Sequence, residues 1–171
     1  DKAIQGAQLA GGACVVEDTS LEFTALGGMP GPFIKWFQNK LQSEGLYNLL
    51  AAYDDKTATA KCTLAFSPYP HADPIIFTGT TTGTIIEPVP GRGFGWDSIF
   101  VPDTPSEYNN NYEIPFSCMS TEAKNRFSHR GQAVRQWADW LGLNHSELFE
   151  IQCGRPATGD KAPSFKSLPA E

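Results

Sequence analysis

The chain reads as an α/β domain, and three observations predict it. Residues alternate in strand fashion from Ala58 to Phe66, and apolar residues recur at helical spacing after Pro32 and again from Phe127 to Leu141. An acidic pair, Glu17-Asp18, also leaves a short apolar run as strand ends in α/β sheets often do.

Taken in order, Asp1 to Ala10 has the Ala/Gln/Leu character of a helix that Gly11 and Gly12 would stop. Ala13 to Val16 predicts a short buried strand, with Glu17 and Asp18 at its C-terminal end. Pro32 suits the first turn of a helix whose apolar residues are Phe33, Ile34, Phe37 and Leu41, and Lys35 and Trp36 fall in that turn. In the next strand Ala58, Ala60, Cys62, Leu64 and Phe66 share one side, with Thr59, Lys61 and Thr63 on the other. Ile75 to Thr82 and Thr84 to Glu87 continue around Gly79 and Gly83, which predicts an antiparallel meander or bent hairpin. Phe94 to Pro115 is aromatic and irregular, and Asn109 to Asn111 predicts an exposed loop. Phe127, Gly131, Val134, Ala138 and Leu141 then define one face of a long helix with Ser128 at its start. Residues 1–153 are expected to form one domain, and the Pro, Gly, Lys and Ser content of 154–171 predicts a loosely ordered tail.

At 171 residues with 40% apolar content, the chain can bury a core of its own. Its net charge of -6 argues against a protein that grips the nucleic-acid backbone, which needs a dense cationic face. No apolar stretch approaches the roughly 20 residues needed to cross a bilayer, so a soluble, cytoplasmic protein without a membrane partner is expected. Cys14, Cys62, Cys118 and Cys153 are widely spread with no CxxC pair, which makes a metal cluster a poor reading. Their even number is compatible with disulfides, and buried thiols in a reducing compartment are the simpler interpretation.

Four constellations could carry chemistry. A carboxylate at a strand end, as in Glu17-Asp18-Thr19, can hold a hard divalent cation or take a proton from water, or it can simply cap a turn. The loop Gly27-Gly28-Met29-Pro30-Gly31-Pro32 lacks the Gly-Lys-Ser/Thr ending of a Walker motif, so it either approaches phosphate or builds a turn, and a turn is favoured for the loop alone. Lys35 just beyond it strengthens the phosphate reading. Phe94-Gly95-Trp96-Asp97 offers two rings and a carboxylate that could stack a base and accept from its edge, or could pack as core around a turn. Lys124-Asn125-Arg126-Phe127-Ser128-His129-Arg130 is a donor-rich cluster. Its donors would favour a purine with a carbonyl oxygen where adenine carries an amino group, while a solvated helix start is the plainer alternative.

Together and in this order, VVEDTSLEFTALGGMPGPFIKWF, FGWDSIF and MSTEAKNRFSHRGQA resemble the inosine triphosphate pyrophosphatase, or Ham1-like, family, and Ile34-Lys35-Trp36-Phe37 is similar to its eukaryotic branch. The resemblance spans residues 2 to about 141. It implies an elongated mixed sheet joining two lobes, with flanking helices and a nucleotide cleft between the lobes, in a homodimer. It also implies hydrolysis of ITP, dITP and XTP to the monophosphate and pyrophosphate with Mg²⁺, or Mn²⁺ in its place. By resemblance Asp18 would hold the metal, with Glu17 as a second candidate, and would act as the base that activates water. Thr19, Lys2 and Lys35 would face the phosphates. Phe94, Gly95, Trp96 and Asp97 would hold the base, and Lys124, His129 and Arg130 would read its edge.

Two family features have no counterpart in the chain: a first strand with a Ser/Thr-Gly-Asn-x-x-Lys phosphate loop, and a second acidic metal ligand. Relative to the family the chain is therefore expected to be incomplete at its N-terminus. Beside the hydrolase stands the alternative of a purine-nucleotide-binding or scaffold relative with little catalysis.

Overall fold

A computed structural model describes residues 1–89, 93–103, 114–152 and 165–168. Five strands form one sheet in the order β2-β1-β3-β4-β5, where β1 is Cys14–Phe23, β2 Pro30–Gly31, β3 Thr57–Ser67, β4 Ile75–Ile85 and β5 Phe100–Pro102. The helices are α1 (Lys2–Ala10), α2 (Ile34–Asn48), α3 (Thr121–Phe127), α4 (His129–Leu143) and α5 (His145–Gln152). The α/β class expected from the periodicities is the class observed. No helix among the described residues is long and apolar enough to cross a membrane.

The chain divides into two compact units, one of residues 1–17, 64–77 and 133–171, the other of 18–63 and 78–132. In the first unit α1 buries Ala3 and Ala7 and ends in a Schellman cap. The Gly12 N–H donates to Ala7 and the Gly11 N–H to Gln8, so two orphan helix carbonyls are satisfied. The unit's aromatic core gathers on Trp140, whose ring lies 5.7 Å from Phe66, 6.0 Å from Phe77 and 5.1 Å from Phe165. Asn144 is fully buried and closes this region. Its amide nitrogen donates to the carbonyls of Trp140 and Lys166, and its oxygen accepts from the Lys166 N–H at 2.7 Å. The C-terminal residues 165–168 are thus held by specific bonds, while most of the expected tail, like Asn109 to Asn111 and Cys153, lies outside the described residues.

The second unit is built around Leu21, Phe23, Ile34, Leu46, Leu50, Ile85, Trp96, Ile99, Phe100 and Phe116. Strand β3 behaves as its alternation predicts, with Ala58, Ala60 and Cys62 buried and Thr59, Lys61 and Thr63 less so.

Three expectations about the elements are corrected. Strand β1 does not end before Glu17 but runs on to Phe23, because Leu21 and Phe23, two positions apart on one face of it, are buried in the core. The break expected between Ile75 to Thr82 and Thr84 to Glu87 is absent: β4 is one continuous strand of 11 residues, lying between β3 and β5 in the sheet. Gly83 marks no turn within it. It faces β5 where any side chain would strike the Val101 carbonyl and the Phe100 ring, so the glycine serves a close strand approach. On α4 the buried positions are His129, Ala133 and Trp140, whereas Val134 and Ala138 are exposed. Trp137 and Trp140 carry far more apolar area than Val134 or Ala138, and burying them rotates the helix away from the predicted face. Cys62 is buried as expected, but Cys118 is an exposed thiol.

Candidate functional site

Asp18 and Glu17 project their carboxylates from the middle of a strand. As consecutive strand residues they point to opposite faces, so Asp18 shares its face with Ser20 and Glu22 while Glu17 shares its face with Thr19. Both carboxylates are exposed and Thr19 is half-buried. Farther along the Asp18 face, Glu22 accepts from the Ser20 hydroxyl at 2.9 Å and pairs with Lys61 at 3.1 Å. Lys2, in the first turn of α1, donates a long bond of 3.4 Å to the Glu17 carbonyl.

The Gly/Pro loop after β1 takes the turn reading. Its amides are used internally: Gly27 donates to Thr24, Gly28 to Phe23 and Met29 to Leu26. Pro30 and Pro32 have no N–H, and β2 pairs with Leu21 and Glu22 of β1. The loop therefore delivers the chain into α2, where Lys35 stands exposed in the first turn beside an exposed Trp36.

The base-side residues come together most completely. Asp97 is 5% exposed. It accepts from the Phe94 N–H at 3.0 Å and pairs with Lys124 at 2.6 Å. The Lys124 ammonium in turn lies 4.9 Å from the centre of the Phe94 ring and 5.3 Å from that of Phe116, and the Arg130 guanidinium lies 5.5 Å from Phe94. Trp96 packs in the core against Phe100 and stacks on His129, with centroids 5.4 Å apart and planes 26° apart. Of the two rings of FGWD, Phe94 is the one presented to solvent, at 66% exposure, and Trp96 takes the core role. His129 is buried in the same stack, so that of the three predicted edge readers Lys124 and Arg130 are the two beside the open ring.

Local chemistry explains why this cluster holds its shape. Ser120 caps α3 by accepting from the Ala123 N–H, and Ser128 caps α4 by accepting from the Gly131 N–H at 3.1 Å. A side chain at position 131 would collide with the Asn125 carbonyl, so glycine lets the end of α3 lie directly on the start of α4. Gln132 bolts this junction to β4. Its amide bonds both the N–H and the C=O of Thr80, and reaches the Phe127 carbonyl as well.

The structure thus unites Phe94, Trp96, Asp97, Lys124, His129 and Arg130 around one aromatic stack, and ties Gly95 to α2, the helix that carries Lys35. Asp18 and Thr19 lie on β1 in the same compact unit as that stack, and Lys2 belongs to the other compact unit. Reading the sequence passed over Gln38 and Ser43, which donate to the Gly95 carbonyl, Phe116, which packs against Trp96, and Gln132, which bonds Thr80 and Phe127. No spacing marks them, because each works through a backbone carbonyl or a ring brought close by folding.

Chemically, an open aromatic face flanked by an ammonium and a guanidinium can stack a planar heterocycle and donate to carbonyl oxygens at its edge. The carboxylates on β1 are hard oxygen donors, but the described residues contain no group of three or more His, Cys, Asp or Glu able to hold a metal ion. A cation at Asp18 would need oxygens from a bound phosphate, which is how Mg²⁺ is commonly held.

A model of the Ham1 family matches residues 1–140. The chain is 46% identical over 141 residues to an inosine triphosphate pyrophosphatase of Neurospora crassa, covering 82% of this chain and 69% of that one. It is 45% identical to the protein of the same name from Tuber melanosporum, over 82% of this chain and 72% of the relative. Among solved structures, the Staphylococcus aureus Ham1 protein superposes with a TM-score of 0.69 at 26% identity, covering 82% of this chain and 72% of that one. A Ham1 protein from Coxiella burnetii gives the same TM-score at 29% identity, over 82% and 74% of the two chains. On the family model and on the extent of identity to its relatives, this chain belongs to the Ham1 family.

Proposed function

We propose that this chain hydrolyses deaminated purine nucleoside triphosphates, ITP, dITP and XTP, to the monophosphate and pyrophosphate. The observation that carries the reading is the exposed Phe94 ring flanked by Lys124 and Arg130. Hypoxanthine and xanthine carry a carbonyl oxygen at position 6, which accepts from such donors, whereas the amino group of adenine would face donors with nothing to accept. The names of the relatives at 46% and 45% identity support the same substrate class.

In the reaction a water oxygen attacks the α-phosphorus, its proton passes to the Asp18 carboxylate, and the bond between the α-phosphorus and the bridging oxygen breaks. Pyrophosphate leaves and the nucleoside monophosphate remains. Lys2 and Lys35 face the phosphates, where a cationic side chain offsets charge on the leaving group, and Thr19, whose side chain lies on the other face of β1 from Asp18, meets them through its backbone. Asp18, with Glu17 as the second candidate, would hold Mg²⁺ or Mn²⁺, and the ion would supply positive charge against the phosphate oxygens. Asp97 fixes Lys124, and Gly95, Trp96 and His129 hold the ring and the donors in place. We place the active form as a homodimer in the cytoplasm.

The test is pyrophosphate release from ITP in the presence of Mg²⁺, with Asp18→Asn as the partner variant. Turnover is expected for the parent and a loss of at least about a hundredfold for Asp18→Asn with IMP affinity kept. A parent protein that releases no pyrophosphate, or an Asp18→Asn variant as fast as the parent, would overturn the reading.

A further inference from the structure

The carbonyl of Gly95 receives two side-chain donors from α2: Gln38 Nε2 at 3.2 Å and Ser43 Oγ at 3.1 Å. In an uninterrupted α-helix two residues five positions apart point roughly 140° from each other around the axis, so they do not meet at one atom. Here they meet because α2 breaks between them. Gln42 has φ 57 and ψ -176, a backbone conformation that belongs to glycine. Gln38 carries a second local cost, since its Oε1 is buried without a hydrogen-bond partner among the described residues. Two unfavourable features, a strained backbone and an orphaned acceptor, thus flank the same bond.

What that bond holds is the FGWD turn. Gly95 itself is left-handed, with φ 62, which reverses the chain between an exposed Phe94 and a buried Trp96. The Phe94 N–H is tied to Asp97, and Trp96 is locked in the core. The Phe94 ring has cations near its face but is 66% exposed, so its position depends on the backbone beneath it. An aromatic platform already held in place gives up less freedom when a base stacks on it.

We propose that Gln38 and Ser43 are positioning residues for base selection. By gripping the Gly95 carbonyl across the break at Gln42 they fix the Phe94 platform against Lys124 and Arg130, and so support preference for a purine with a carbonyl at position 6. The proposal rests on the substrate class given above and adds to it the device that orients the platform.

The test compares the parent with Gln38→Leu, Ser43→Ala, the double variant and Ser43→Thr, using ITP and ATP kinetics and amide hydrogen exchange of the unliganded proteins. In the double variant the Phe94–Asp97 amides should exchange faster, and the ratio of kcat/KM for ITP over ATP should fall about tenfold. The fall should come through KM with kcat nearly unchanged, because the phosphate side is untouched. Ser43→Thr keeps the hydroxyl and should restore both readouts relative to Ser43→Ala. Unchanged exchange in the double variant overturns the proposal, and so does faster exchange with an unchanged ITP/ATP ratio. If the parent fails to hydrolyse ITP, the hydrolytic reading falls while the positioning role is decided by calorimetry with IMP. About tenfold weaker binding by the double variant supports it, and equal binding overturns it.

Discussion

Replacing Lys124 with Met would remove the ammonium that faces Asp97 while keeping an apolar chain against Phe94 and Phe116. The two side chains of this ion pair are 20% and 8% exposed and 2.6 Å apart. Without Lys124 the Asp97 carboxylate stays in a site largely closed to water, with the Phe94 N–H still donating to it. Removing one partner of a buried pair typically costs about 3–5 kcal/mol, because the remaining charge is uncompensated. Lys124 is not fully enclosed, which argues for the lower end, about 3 kcal/mol. The lost cation–π contacts are a smaller effect, partly replaced by contacts between the Met sulfur and the rings. For a chain of this size such a loss lowers Tm by roughly 6–12 °C. The pair between Lys61 and Glu22 supplies the control, since its side chains are 40% and 30% exposed at 3.1 Å. Lys61→Met should cost under about 1 kcal/mol. Thermal and urea unfolding of both variants measure the difference, and Lys124→Met combined with Asp97→Asn should recover much of the loss. If Lys124→Met costs no more than Lys61→Met, the FGWD turn is not organised around a buried carboxylate.

Two further outcomes follow from local geometry. Gln42→Gly should raise stability by about 1 kcal/mol, or roughly 2–4 °C in Tm, since glycine adopts the backbone seen there without strain. A drop like that of glycine in an ordinary helix interior would show that α2 is not broken at this point. Asp55 precedes β3 and accepts from both the Thr57 N–H and hydroxyl, at 2.8 and 2.7 Å. The hydroxyl bond first and the backbone bond second hold its carboxyl below the usual 3.8. Its folded value is depressed, so its contribution is present above 3.8 and is lost as pH falls through the lower folded value. Carboxyl titration by NMR should find Asp55 ionising below the usual value, and Asp55→Asn should flatten the acid limb of the stability curve. A limb unchanged by that substitution would contradict the assignment.

Much of the fold could be read directly where one physical rule dominates. The alternation from Ala58 to Cys62 appears as written because a strand half in the core has one way to bury its small apolar residues. Gly11 and Gly12 end α1 as expected because the Schellman cap depends on local backbone alone. Reading failed where two local signals competed. Glu17-Asp18 resembled a strand end, yet solvent-facing strand positions tolerate acids, and the burial of Leu21 and Phe23 carried β1 through. Gly83 of β4 resembled a turn until β5 supplied a neighbour too close for a side chain.

The site divides along the same line. Residue types and their order along the chain were enough to nominate the carboxylates, lysines, aromatic turn and basic cluster, because their chemistry is carried by the side chains themselves. Folding alone decided that Phe94 faces solvent while Trp96 is core, that His129 lies buried in the stack, and that Asp97 spends its carboxylate on Lys124 and the Phe94 N–H. It also brought Gln38 and Ser43 to one carbonyl more than fifty residues away in the chain. Exposure and convergence depend on which surfaces are covered by distant segments, and neither local composition nor periodicity carries that information.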